Sequence, residues 1–142
     1  MNLESAPRRH FHDALNSLQE QLREMAGLVE RGLARATDAI LSGDFDVVDE
    51  VKEGDYQVDE LELGIDERVL GLLALHQPMA GDLRQIVTTG KIANDLERIG
   101  DHAVNIARAG DRLKNVHPLP VVRELEDMVV ITREMVSDAL AS

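Results

Sequence analysis

Cysteine and tryptophan are absent from this chain of 142 residues, and its phenyl-type rings amount to two Phe and one Tyr. Without cysteine there are no disulfides and no thiolate ligands for a metal. With so few aromatics, a chain that is 44% hydrophobic must pack an aliphatic core of Ala, Leu, Val and Ile. Positive charge is also short: 15 Lys and Arg stand against 27 Asp and Glu, for a formal net charge of −12. That balance disfavours nucleic acid and anionic membrane surfaces as partners and favours cations or basic protein surfaces. No apolar run approaches the roughly 18 to 20 residues that span a bilayer. The N-terminal ESAPRRHFHD lacks the apolar centre of an export signal, so a cytoplasmic protein without membrane insertion is expected.

Motifs of the common catalytic machineries are missing too. There is no Walker A loop, no G-x-S-x-G elbow and no H-E-x-x-H helix, and the Glu-x-x-His pattern of di-iron oxidase bundles does not occur. The reading is of a protein that is not an enzyme. A carboxylate-bridged hydrolase acting through one metal-bound water remains a weaker alternative.

What is present is helical periodicity. After a loose lead-in through residue 10, the positions Phe11, Leu15, Leu18, Leu22, Met25, Val29, Leu33, Ala36 and Ile40 step by threes and fours over about eight turns. Ser42 and Gly43 supply a stop, and Asp44 is a suitable N-cap for the next helix. That second helix, 44–75, buries Val47, Val51, Val58, Leu61, Ile65, Val69 and Leu72, with Gly54 in its seam. His76-Gln77-Pro78 breaks it, and Pro78 suits the first position of a third helix, 78–112. Short connections between three long helices predict an all-α fold, an antiparallel three-helix bundle over residues 1–113.

The segment 114–120, KNVHPLP, reads as a linker because its two prolines cannot stay in a helix. Beyond it Leu125, Met128, Thr132, Val136 and Ala139 repeat Leu22, Met25, Val29, Leu33 and Ala36 at a constant offset of 103 residues. Residues 121–142 are therefore expected to be the first helix of a second, truncated repeat. Its apolar face, Leu125, Met128, Val129 and Val136, is expected to be covered by another chain or by the first bundle, which points to a homo-oligomer such as a dimer.

The third helix places charge where apolar residues are expected. Ile86, Gly90, Ala93, Gly100, Val104 and Ala107 form one stripe, and Ile92, Leu96, Ile99, Ala103 and Ile106 a second. Glu97 and Asp101 fall on the first, one turn apart, at roughly 6 Å between Cβ atoms. Asp55, Asp59 and Glu62, extended by Asp66, form a similar ladder on the second helix. Each acidic group lies about 20 residues from the 76–78 turn. With a fixed rise of about 1.5 Å per residue, antiparallel helices bring the two groups level.

Two readings of these carboxylates stay open. In one, Arg98, Lys91 or an arginine on a neighbouring helix neutralises them. In the other, Asp55, Asp59, Glu97 and Asp101, with Glu62 as a further candidate, ring an all-oxygen site suited to magnesium, manganese, calcium or iron. No histidine stands at ligand spacing. His102 points about 100° away from Asp101, and His10, His12, His76 and His117 sit in ends and turns.

The stretch DLRQIVTTGKIANDLERIGDHAVNIA, together with L-x-x-M-x-x-x-V at Leu22, Met25 and Val29, EGDYQVDELE on the second helix and QPMAGDLR before the third, resembles the PhoU family. The resemblance covers nearly the whole chain. It implies two tandem three-helix bundles and multinuclear metal clusters held on E(D)-x-x-x-D motifs, here Asp55 to Asp59 and Glu97 to Asp101. It also implies action with a phosphate ABC transporter and its sensor histidine kinase, repressing the phosphate-starvation response when phosphate is plentiful. The alternative is a metal-free helical module whose acidic face binds a basic protein partner.

Overall fold

The threes-and-fours spacing of apolar residues produces helices and nothing else. In a computed structural model, residues 6–116 and 120–142 are described, and they form α1 (Ala6–Ser42), α2 (Val48–His76), α3 (Ala80–Leu113) and α4 (Arg123–Ala141), with no strand among them. Among the described residues no helix is long and apolar enough to cross a membrane. The first three helices pack against one another, and α4 packs against α1.

Helix boundaries depart from expectation where local chemistry intervenes. Helix α1 already runs at Ala6, so the described part of the lead-in is helical. Pro7 fits there because a first-turn N–H has no intrahelical acceptor to lose; residues 1–5 lie outside the described ones. The α1 stop is as expected: Gly43 adopts φ 75° and its N–H donates to the Ala39 carbonyl at 2.9 Å. Asp44 does not cap α2. Its Oδ1 accepts the Asp46 N–H at 3.1 Å in an Asx turn, and α2 begins four residues later after Val47, which gives no side-chain cap. Gln77 takes the left-handed conformation before Pro78, and α3 starts at Ala80, two residues past the expected proline. The expected linker 114–120 follows the end of α3, with His117, Pro118 and Leu119 outside the described residues.

The core is aliphatic and runs the length of the bundle. Leu18, Met25 and Val29 of α1 meet Val58 and Ile65 of α2 and Ile86 of α3, all fully buried, in one cluster with Ala93 and Leu96. A second cluster joins Leu33, Ala36, Val48, Val51, Ala103, Val104 and Ala107. Alanines on α1 and α3 let the backbones approach closely, a small-residue solution to a core without large rings. Buried Thr37 and Thr89 donate their hydroxyls to the Leu33 and Gln85 carbonyls one turn back. Among the expected core positions Ile92 is exposed, and Leu22, Ile40, Leu61, Val69, Ile99 and Ile106 are half-buried, as is Val47 beside the fully covered Val48.

Helix α4 lays Val129, Val136 and Leu140 toward α1, and Arg133 Nη1 reaches Asp38 Oδ1 at 2.9 Å. The first bundle thus covers part of the expected apolar face. Met128 remains 64% exposed, although its counterpart Met25 is fully buried.

Glycine positions correct the seam assignment. A Cβ at Gly54 meets open space, so this residue does not mark a close approach. At Gly110 the Phe45 ring, arriving from the α1–α2 connection, occupies the place of a side chain. Gly110→Leu should therefore destabilise the fold by about 1 to 3 kcal/mol through overpacking. Gly54→Leu should melt close to the parent. Thermal melts of the two variants check this, and equal melting temperatures would remove Phe45 from its assigned seat.

Candidate metal centre

Acidic residues one turn apart on a single helix repel weakly in water, but two such pairs on adjacent helices make a concentrated negative site. Helices α2 and α3 run antiparallel with a short connection, and this brings Asp55, Asp59 and Glu62 level with Glu97 and Asp101. Carboxylate oxygens of Asp55, Asp59 and Asp101 lie within 4.8 Å of one another, as do those of Asp59, Glu62 and Glu97. Asp59 belongs to both groups and joins them. Asp66, one turn beyond Glu62, adds negative charge near that residue but supplies no oxygen to either group.

The carboxylates lie at the rim of the helix interface, not inside it. Asp101 is exposed, and Asp55, Asp59, Glu62 and Glu97 are half-buried. Asp55 reaches furthest in. Its Oδ1 is fully buried and has no hydrogen-bond partner among the described residues. Gly100 makes the room: a Cβ there would stand 2.9 Å from that oxygen, with Val58 and Val29 behind it. Gly100, read from the sequence as part of a small-residue stripe, is thus the notch that admits a carboxylate. A buried polar atom without a partner is uncommon and costs about 1 to 3 kcal/mol.

Crowding holds protons on the site. Glu97 is pushed up to about 7 by a hydrogen bond shared with Asp101, then by burial and by the charges of Asp101, Glu62 and Asp59. Asp55 is pushed up to about 6 by burial and by Asp59 and Asp101, against a lowering pull from Arg108. Burial and neighbouring carboxylates raise Asp59 and Glu62 as well.

Neither Arg98 nor Lys91 neutralises the group. The ion pairs among the described residues are Arg23–Glu20, Arg35–Glu50, Lys52–Asp49, Lys114–Asp111 and Arg133–Asp38, all away from it. Arg108, which sequence reasoning did not single out, is the one cation whose charge is felt at Asp55. No histidine joins either oxygen group among the described residues. The donors are carboxylates alone, a set that suits hard cations.

A profile of the PhoU domain matches residues 22–110, a span that contains all five carboxylates and the Gly100 notch. The chain belongs to the PhoU family. It is 40% identical over 128 residues to the phosphate-specific transport system accessory protein PhoU homolog of Aquifex aeolicus, covering 90% of this chain and 58% of that protein. The Pseudomonas putida homolog is 38% identical over 136 residues, 93% of this chain and 52% of its own length. The PhoU accessory protein of Escherichia coli K12 is 34% identical over 140 residues, 99% of this chain and 58% of its own length. This PhoU-family chain therefore spans between half and three fifths of the length of these three relatives.

Raised carboxylate values fix the sign of a pH dependence. A carboxyl group whose folded value exceeds its unfolded one binds more protons in the folded state. Its stabilising contribution is complete below the unfolded value and lost as pH rises through the folded one. With chelator present, the melting temperature should fall between pH 4.5 and about 7, the ordinary and raised values of Glu97. Glu97→Gln keeps a donor toward Asp101 without the charge, so it should melt above the parent at pH 8 and with it at pH 4.5. Coincident melts at pH 8 would contradict the raised value.

Proposed function

We propose that this chain is a metal-holding accessory protein of phosphate transport, with Asp55, Asp59, Glu62, Glu97 and Asp101 as its ligands. One observation carries the reading: five carboxylates converge from two helices, none in an ion pair among the described residues, with the Asp55 Oδ1 buried and unpartnered. Native folds seldom leave such a group uncompensated. Hard divalent or trivalent ions, iron, manganese or magnesium, match the all-oxygen donors and supply the positive charge that the side chains lack. Asp59, shared by both groups, suits a bridging position between two ions.

The remaining parts of the proposal rest on the family and on the naming of its relatives as accessory proteins of the phosphate-specific transport system. By that resemblance the protein acts in the cytoplasm, as a dimer, with the phosphate ABC transporter and its sensor histidine kinase. It represses the phosphate-starvation response while phosphate is abundant. In that role the metal-held α2–α3 face is a structural element of a signalling surface, and no bond of a substrate is made or broken there.

Metal addition has a signed consequence for stability. Chelation leaves the carboxylates repelling across the gap, and a cation at about 100 times its dissociation constant should raise stability by about 2.7 kcal/mol if the unfolded chain does not bind it. The double variant Asp59→Asn, Asp101→Asn should lose this response while melting at or above the parent in chelator. Melting curves with chelator, manganese and iron on both proteins decide. A parent melt unchanged by every metal would end the metal reading.

A further inference from the structure

The outer face of α2 carries a line of exposed apolar side chains that neither the core nor the acidic centre uses. Tyr56, Leu63 and Leu70 are 68%, 66% and 67% exposed and stand seven residues apart. Seven residues is two turns of a helix, so the three fall in one row about 21 Å long. Single exposed leucines are ordinary on a protein surface. A row at heptad spacing opposite the buried Val58, Ile65 and Leu72 is a second seam on a helix whose first seam is already occupied.

Charges along the row say what would fit it. Glu60 and Glu67 stand four residues after Tyr56 and Leu63, Asp66 three after Leu63, and Glu53 three before Tyr56; all four are exposed. None is in an ion pair among the described residues. The cations of α2 are Lys52, paired with Asp49 at one end, and Arg68. A second copy of the chain laid along this row would set carboxylates against carboxylates, and an anionic lipid surface would be repelled in the same way.

We propose that the Tyr56–Leu63–Leu70 face of α2 docks a basic amphipathic helix of a partner protein, its apolar residues on the row and its lysines or arginines between the flanking carboxylates. Helices of this kind read a partner through anchors at regular spacing and choose it by charge. The surface is independent of the metal reading, since Glu53, Glu60, Asp66 and Glu67 lie outside both oxygen groups.

The test uses the whole chain in chelator and a synthetic 21-residue helix-forming peptide with leucine at every seventh position and lysines flanking each leucine. A control peptide carries glutamate in place of lysine. The lysine peptide should bind, and Leu63→Ser with Leu70→Ser should weaken it about tenfold, as loss of central apolar anchors does. Glu60→Lys with Glu67→Lys should weaken it too, while both variants melt like the parent because the altered side chains are exposed. Equal binding to parent and Leu63→Ser, Leu70→Ser protein would overturn the proposal, as would equal binding of the two peptides. It also fails if sedimentation shows a parent dimer that the serine variant dissolves, or if the parent floats with phosphatidylcholine vesicles and the variant does not; those results assign the row to a second copy or to lipid.

Discussion

The structure depends on how closely α2 and α3 approach at Gly100. There a missing side chain leaves room for the Asp55 carboxylate, and Asp59, Glu62, Glu97 and Asp101 gather around the same opening. Repulsion opposes this arrangement, at about 1 kcal/mol per pair at 4 Å in water and about 4 at an effective dielectric near 20. Packing outweighs it. Val58, Ile65, Leu96 and Val104 are buried beside the acidic residues, each contributing about 1.5 to 3 kcal/mol, so the hydrophobic core holds the charges together.

Legibility in the sequence followed the quantities that helical geometry fixes. The level meeting of the two acidic groups could be computed because rise per residue is constant and the turn at His76-Gln77-Pro78 is short. Element number and type followed from long uninterrupted periodicities. Rotation of each helix about its axis was less accessible, since a stripe about 100° wide or more leaves several residues competing for its edge. Ile92, Gly54, Glu97 and Asp101 are edge residues of that kind. Ile92 and Asp101 turned outward, Glu97 lies half-buried at the rim, and Gly54 faces open space, while Gly100 took the close approach.

Other differences came from contacts between segments distant in sequence. Nothing local announces that Phe45, in a connection, will cover Gly110 at the far end of α3. Helix α4 makes the same point through its repeat. The L-x-x-M spacing occurs in α1 and α4, yet Met25 is fully buried in the core of the bundle and Met128 is largely exposed. Periodicity establishes that a face is apolar; what covers it is decided by the rest of the fold.

Protons and cations are alternative answers to the same excess charge. With Glu97 raised to about 7 and Asp55 to about 6, the centre reduces its repulsion as pH falls through this range by taking up protons on these two side chains. A cation bound by these oxygens would require their deprotonated forms and would displace those protons, linking its affinity to proton occupancy. Arg108 answers the charge only in part, because it lowers Asp55 without reversing the upward shift. An arginine seated among the carboxylates would have neutralised them permanently and closed the opening at Gly100. Keeping compensation external leaves the charge state of the α2–α3 face dependent on what binds there, a property that a fixed internal ion pair does not have.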